Sequence, residues 1–387
     1  LLKVFSRVLD EDAAAGKTPP QRILDAGCGV GVIGICAAGA ISAVAPQVYI
    51  RAQDRDELAR LVTLHNAAKN GIPASALEAH TEPLLAGPGR WDYILSNIPA
   101  KAGMPVLEDF VRRSAGLLNP DGKVILVVVH TLADLFREQI TASAELVLEQ
   151  KGSGHNVFVY TGTKNKEQRT EDKGAVFLER YSFYARAVAT SVIEKIPVSI
   201  ETIHGAGGFD EPGGAVLAMA KLITRIGLEK LAIDNGPLLV HEPDQGFFPC
   251  FLLQYFTTNQ HEPSLILSGR NILGLEAARH NTGAAAIVPV ADLQLGKTAL
   301  LEAAGGQPYA LIAAFPELLP QSSLPKEVDQ LAALWDALPP LLVTNGIFLV
   351  AFGSSDAERF DRRKPPGFTR LGSIKRDGFR ALAYRYC

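Results

Sequence analysis

The segment Asp25-Ala-Gly27-Cys-Gly29-Val-Gly31 constrains this chain most, because it lies directly between an apolar strand pattern and an apolar helix pattern. Alternate glycines let the backbone take conformations closed to other residues and pass beneath a ligand without a Cβ clash. The first N–H groups of the following helix have no intrahelical partner, so they face whatever binds at the turn. Asp54 ends the next β-branched run, 23 residues beyond Gly31. A carboxylate there can accept hydrogen bonds from both hydroxyls of a ribose.

Residues 20–160 continue the alternation of short strands and helices that marks a parallel sheet covered by helices. Ile23–Leu24 opens the first strand, Val48–Ala52 a second, Tyr93–Ser96 a third and Lys123–Val129 a buried one. Helical spacing covers Val32–Ala40, Asp56–Asn70 and Val106–Leu118, with Gly71 placed to end the second of these. Glu145–Gln150 and Val157–Thr161 read as a closing hairpin around Lys-Gly-Ser-Gly-His. The polar run Thr163–Gly174 then marks a domain boundary, and 387 residues are enough for two domains.

A second half like the first is visible as an internal echo. His65–Asn66 recurs as His280–Asn281, Ile98–Pro99 as Phe315–Pro316, and 117–129 as 341–352. Both halves end in a strand-turn-strand pattern, the second over Thr369–Ile374 and Phe379–Tyr386. The expected fold is therefore α/β, with two tandem Rossmann-like domains: residues 1–163, a charged connecting segment 164–200, and 201–387.

Composition excludes several classes. An apolar share of 47% with 20% charged residues describes a chain with ample core, and a net charge of −3 carries no global attraction to nucleic acid. Cys28, Cys36, Cys250 and Cys387 form no CxxC pair and the eight histidines no ligand spacing, so neither a metal nor a disulfide framework is expected. The apolar run Val124–Val129 is far shorter than a membrane span, and the cysteine usage suits the cytoplasm. Leu1 falls inside an amphipathic pattern without a Met, which implies further sequence upstream.

Two cofactor classes fit the glycine turn. Gly29, Gly31 and Gly34 satisfy the spacing of nicotinamide enzymes. Asp25, two residues before the first glycine, instead suits the ammonium of S-adenosylmethionine. Ile23–Gly31, Asp54, the helix ending Asn66-Ala-Ala-Lys-Asn-Gly71, and Ser96-Asn97-Ile98-Pro99 together resemble the class I methyltransferases. Within that class, residues 20–161 are similar to the "methyltransferase small" family, which includes two-domain ribosomal RNA guanine methyltransferases. The resemblance implies that Asp25, Gly27, Gly29, Gly31 and Asp54 hold S-adenosylmethionine. It implies also that Asn97 and the Pro99 loop position an acceptor amine by hydrogen bonds to the Asn97 side chain and the following carbonyl.

Two positions depart from the family. The Asp expected at the adenine amine is replaced by His80-Thr81-Glu82, leaving Thr81 or Glu82 to substitute. The family's Asn-Pro-Pro-aromatic becomes Asn97-Ile98-Pro99-Ala100, and Ala100 cannot stack on a base. In the second half, LVHEPDQGF (239–247) replaces the glycine turn, Gly269 takes the place of Asp54, and Ala314 that of Asn97. The second domain thus reads as a degenerate methyltransferase fold that recognises substrate. Gly205–Gly214 resembles the family's glycine-containing lead-in to such a domain.

Residues 359–387 carry nine Arg or Lys against two Asp, interleaved with Phe360, Phe368, Phe379, Tyr384 and Tyr386. Exposed, they form an RNA-binding face; alternating along a hairpin, they put rings in the core and charges in solvent. His155 and His204 lie in glycine-rich loops where a base could sit. The leading reading is an S-adenosylmethionine-dependent N-methyltransferase acting on RNA. Protein or small-molecule methylation, a non-catalytic binding module and a dehydrogenase are the alternatives.

Overall fold

The computed structural model describes residues 1–41, 45–162, 182–228, 236–259, 263–320 and 328–387. It divides into two compact units, Leu1–Tyr184 and Ala185–Cys387. The charged run Thr163–Gly174 lies outside the described residues.

The first unit opens with α1 (Leu2–Ala14), whose apolar stripe buries Val4, Phe5 and Val8. There follow β1 (Arg22–Ala26), α2 (Val32–Ile41), β2 (Tyr49–Asp54), α3 (Glu57–Lys69), β3 (Leu77–Thr81) and β4 (Trp91–Asn97). After these come α4 (Met104–Ser114), β5 (Leu118–Val129), α5 (Ala133–Ser143), β6 (Glu145–Lys151) and β7 (His155–Thr161). The strands form one sheet in the order β3-β2-β1-β4-β5-β7-β6, parallel except for β7 against β5 and β6. The order in which strands are added reverses between β1 and β4, so the C-terminal ends of these two strands border the crevice where α/β folds bind ligands. β3 was not anticipated: Leu77-Glu-Ala-His-Thr81 is short and half polar, and only pairing with β2 makes it a strand.

The second unit starts earlier than the sequence suggests. Residues 185–200, expected as connecting segment, fold into the hairpin of β8 (Ala185–Ile193) and β9 (Ile196–Ile203). Ala189, Ile193, Val198 and Ile200 belong to the core of this unit, which is why the hairpin belongs with it. Next come α6 (Gly214–Ile226), β10 (Leu238–His241), α7 (Phe247–Thr258), β11 (Leu265–Gly269), α8 (Ile272–Thr282), β12 (Ala286–Pro289) and α9 (Lys297–Ala303). The unit closes with β13 (Tyr309–Ala314), α10 (Gln330–Ala337), β14 (Leu342–Gly353), α11 (Ser354–Arg362), β15 (Phe368–Arg376) and β16 (Phe379–Tyr386).

Its large sheet runs β12-β11-β10-β13-β14-β16-β15, the same order as the first. The likeness extends to irregularities. Pairing slips between Trp91 and Tyr93 in one sheet and between Tyr309 and Leu311 in the other. Asp121 and Asn345 take matching positive φ angles of 64° and 65° near the start of the same long strand. The His-Asn echo has a physical basis: Asn66 Nδ2 donates to the Val30 carbonyl at 2.9 Å, and Asn281 Nδ2 to the Gln245 carbonyl at 2.9 Å. Each asparagine ties the helix after the second strand to the turn after the first.

The second core is centred on Trp335, stacked on Phe360 at 4.2 Å and donating its indole N–H to the Phe360 carbonyl at 3.2 Å. Trp335→Ala leaves a cavity among Phe348, Phe360, Phe368 and Tyr384, and is expected to cost about 3–5 kcal/mol. Urea denaturation followed by far-UV circular dichroism measures this.

Candidate functional site

The turn between β1 and α2 is built by left-handed backbone. Gly27, Gly29 and Gly31 have φ of 77°, 54° and 85°. At Gly31 a Cβ would lie 2.8 Å from Thr63 Cγ2, whereas at Gly29 nothing lies within 4 Å and a ligand has room to approach. The turn is held from below: Thr63 Oγ1 donates to the Gly29 carbonyl at 3.0 Å, and the Gly27 and Cys28 N–H groups donate to Gln53.

Asp54, at the end of β2, accepts from the Gly29 N–H on Oδ2 and from the Asp56 N–H on Oδ1, each at 3.0 Å. Each oxygen retains a second lone pair, the requirement for binding two ribose hydroxyls. Asp25 is wholly buried beneath the turn, where Oδ2 accepts from the Gly34 N–H at 2.7 Å while Oδ1 has no partner. Burial pushes its carboxyl up to about 7, against the Gly34 hydrogen bond and with help from the Asp54 charge. An orphaned acceptor beneath an open glycine cradle, with a carboxylate at the second strand, fits a nucleoside carrying a cationic tail.

The two expected adenine contacts are committed within the protein. Thr81 donates its hydroxyl to Glu57, and Glu82 Oε2 is paired with Arg51 at 2.8 Å. Arg51 and Gln53 escaped the sequence reading, which offered no reason to expect polar side chains inside β2. Arg51 Nε donates to Gln53 Oε1, and Gln53 Nε2 donates to the Pro83 and Leu84 carbonyls. They fix the strand-to-loop path on which Thr81 and Glu82 sit.

Asn97 ends β4 and is exposed, and its side chain has no hydrogen-bond partner among the described residues. β4 pairs with β1, so Asn97 stands on the same strand-end rim as the glycine turn. Ile98 is buried and anchors the loop, Pro99 is exposed with φ −70° and ψ 125°, and its carbonyl accepts from the Ala102 N–H. Ala100 is exposed and offers no ring.

The second unit keeps the shape of this turn with different chemistry, and corrects two alignments. Register places Gly246, not Phe247, opposite Gly31, and Phe315, not Ala314, opposite Asn97. Glu242 and Asp244 then replace Gly27 and Gly29 and still hold φ of 56° and 50°. Such backbone costs a residue with a Cβ of order 1–3 kcal/mol, and local hydrogen bonds compensate. Asp244 accepts from the Gly207 N–H at 3.0 Å, and Glu242 accepts from the Arg270 N–H at 2.9 Å. Gln245 accepts from Ile203 and donates to the Gly208 and Phe209 carbonyls. Gly269 does stand where the first unit has Asp54, and its absent Cβ would lie 2.8 Å from Glu242 Oε2.

Residues 359–387 are in large part core and paired surface, with Phe379, Arg362 and Lys375 left exposed. Phe360, Phe368 and Tyr384 are buried and cannot stack on a base. Arg359, Arg363, Arg370 and Arg380 pair with Asp356, Asp329, Asp361 and Glu358. Alternation along the hairpin explains both facts. His155 is exposed, and burial, with Arg186, holds His204 below the usual imidazole range. No helix among the described residues is long and apolar enough to cross a membrane.

Residues 4–152 match the model of the methyltransferase small domain. No curated protein matches. Among solved structures, the chain is similar to the 16S rRNA N2 G1207 methyltransferase (RsmC) of T. thermophilus in complex with AdoMet and guanosine. Identity is 14%, the match covers 95% of this chain and 88% of that one, and the TM-score is 0.59. TrmN from Thermus thermophilus is 26% identical over 41% of this chain and 48% of its own, with a TM-score of 0.34. Ribosomal protein L11 methylase from Lactobacillus delbrueckii subsp. bulgaricus is 23% identical over 41% and 76%, also with a TM-score of 0.34.

A carboxyl raised by burial binds a proton in the folded state that the unfolded chain has released between about pH 4 and 7. Folding stability from Asp25 is therefore present below pH 4 and lost as the pH rises to about 7. Asp25→Asn should flatten this part of the Tm–pH profile and gain on wild type as pH rises, in differential scanning calorimetry at pH 5 and 8.

Proposed function

We propose that this chain, whose residues 4–152 match the model of the methyltransferase small domain, is an S-adenosylmethionine-dependent methyltransferase that methylates an exocyclic amine of RNA. The observation that carries the reading is Asn97: an exposed amide without a partner among the described residues, at the end of the strand beside the glycine turn. An amide oxygen accepts from an amine N–H and so aims the nitrogen lone pair; most of the rate then comes from orientation.

In this reading Asp54 and the open backbone face at Gly29 hold the nucleoside part of the cofactor, and Asp25 Oδ1 is the acceptor left for its ammonium. Glu82, whose Oε1 lies outside the Arg51 pair, is better placed than Thr81 to accept from the adenine amine. When bound, the cofactor supplies a methyl group on a sulfonium, a centre that needs no metal or covalent enzyme intermediate. Pro99 and the buried Ile98 keep the Asn97 backbone carbonyl directed with its side chain. RNA as acceptor is supported by the full-length fold likeness to an rRNA methyltransferase. Ala100 supports the second reading, an amine on a protein or small molecule, because it leaves a base without a stacking partner.

The second unit would contribute recognition rather than transfer, its turn being occupied by the side chains of Glu242, Asp244 and Gln245. Calorimetric titration of S-adenosylmethionine is then expected to find one site per chain, weakened at least about tenfold by Asp54→Ala, the loss of one charge-assisted hydrogen-bonding group. Two sites, or affinity unchanged in Asp54→Ala, would contradict the assignment. Asn97→Ala should keep the cofactor affinity and lower methyl transfer to RNA on the order of 10²-fold. Transfer of labelled methyl groups to protein fractions but not to RNA would select the second reading.

A further inference from the structure

At the far end of β5, an ordered chain of polar side chains terminates at His130. Arg137 grips Glu149 through both nitrogens, Nε to Oε2 at 2.6 Å and Nη2 to Oε1 at 2.8 Å. This pairing holds the Glu149 carboxyl below its usual range, so it is ionised and can only accept. Asn156, buried, donates Nδ2 to Glu149 Oε1 at 2.8 Å, which fixes its amide orientation. Its oxygen therefore faces His130 Nδ1 at 3.0 Å. An amide oxygen cannot donate, so Nδ1 must carry the proton. Neutral His130 then bears its lone pair on Nε2, which has no partner among the described residues, and the ring is exposed.

The sheet places this histidine on the acceptor side. Val127 pairs with Asn97, and His130 follows three residues later. At about 3.3 Å per residue it stands at most roughly 10 Å beyond that pair in the strand direction, within the span of a nucleoside-sized acceptor.

The second unit is an internal control. Its strand β14 ends at Gly353 with Ser354 in the place of His130, and both N–H groups donate to the equivalent turn glycines, Gly154 and Gly378, at 2.9 Å. Arg380 stands where Asn156 does, and Ser373 where Glu149 does. The unit lacking the glycine turn, Asp54 and Asn97 thus also lacks every member of the relay. A purely structural device at the strand end had no reason to disappear with the site.

We infer that His130 Nε2 accepts the proton released by the acceptor amine, with Asn156 and Glu149 fixing its tautomer and stabilising the imidazolium. This rests on the methyl-transfer reading above. As the nitrogen–carbon bond forms, the carbon–sulfur bond breaks with its electron pair going to sulfur. The nitrogen's surplus proton passes to Nε2, and from the exposed ring to solvent. Asn97 orients the amine; His130 removes the proton.

The tautomer can be read without turnover, by long-range ¹H–¹⁵N correlation on histidine-labelled protein. Wild type should show neutral His130 protonated on Nδ1, and Asn156→Leu should move the proton to Nε2. His130→Gln, at an exposed position, should lower kcat for methyl transfer to ribosomal RNA roughly 10²-fold or more. Its KM for RNA and its calorimetric affinity for S-adenosylmethionine should stay within threefold of wild type. A neutral wild-type ring protonated on Nε2, or His130→Gln at the wild-type rate, would overturn the inference. Absence of S-adenosylmethionine binding to wild type would instead overturn the methyltransferase reading, and the calorimetry separates the two.

Discussion

The structure depends on a turn that must run through left-handed backbone to convert a buried strand into a helix. That conformation turns the helix start and the open face of Gly29 outward, while the Gly27, Cys28, Gly29 and Gly31 N–H groups donate to Gln53, Asp54 and Cys28 and the strand carboxylates gather beneath. Asn66 holds the turn from α3 and Thr63 supports it from the same helix. Through these bonds the turn, the second strand and its helix act as one assembly, which is why Asp54 is presented at a fixed place beside Gly29.

The second unit shows how far geometry and chemistry can separate. Glu242, Asp244 and Gly246 reproduce the left-handed turn, and Asn281 reproduces the tether. Yet the side chains introduced at the glycine positions fold back onto Gly207 and Arg270 N–H groups and put carboxylates where the first unit has bare backbone. A fold retains such a turn because the sheet and helix on either side demand it. It retains a ligand site only if the turn carries no side chains. Losing Asp54 and Asn97 at the equivalent positions, Gly269 and Phe315, agrees with this separation.

The same reasoning orders the acceptor side. Asn97 and His130 lie at the ends of neighbouring strands, one with its amide free and the other held through Asn156 by an ion pair on the outer hairpin. A hydrogen-bond chain of this kind fixes a proton position at a distance, because each member has only one way to satisfy its neighbour. It links the hairpin that closes the sheet to the chemistry at its rim.

Much of this was legible in the sequence because it rests on local rules. The glycine turn between strand and helix, Asp54 at its spacing, the helix that begins at Asp56 and the repeated His-Asn pair follow from residue type and short-range periodicity. These were enough for two α/β units and for the glycine turn with a carboxylate at the end of the second strand. What tertiary structure decided was every relation that crosses strands. β3 exists only by pairing, the β8–β9 hairpin joins the second unit only through its buried face, and Phe368 and Tyr384 are core because their strands alternate against Trp335. Register corrected the alignment of the second turn by one residue, since counting along a chain cannot see which residues hydrogen-bond across it. His130 became visible only when Asn156 and Glu149, far from it in sequence, were brought alongside. Local conformation is written in neighbouring residues, whereas proton positions, pairing and burial depend on which distant groups the folded sheet places in contact.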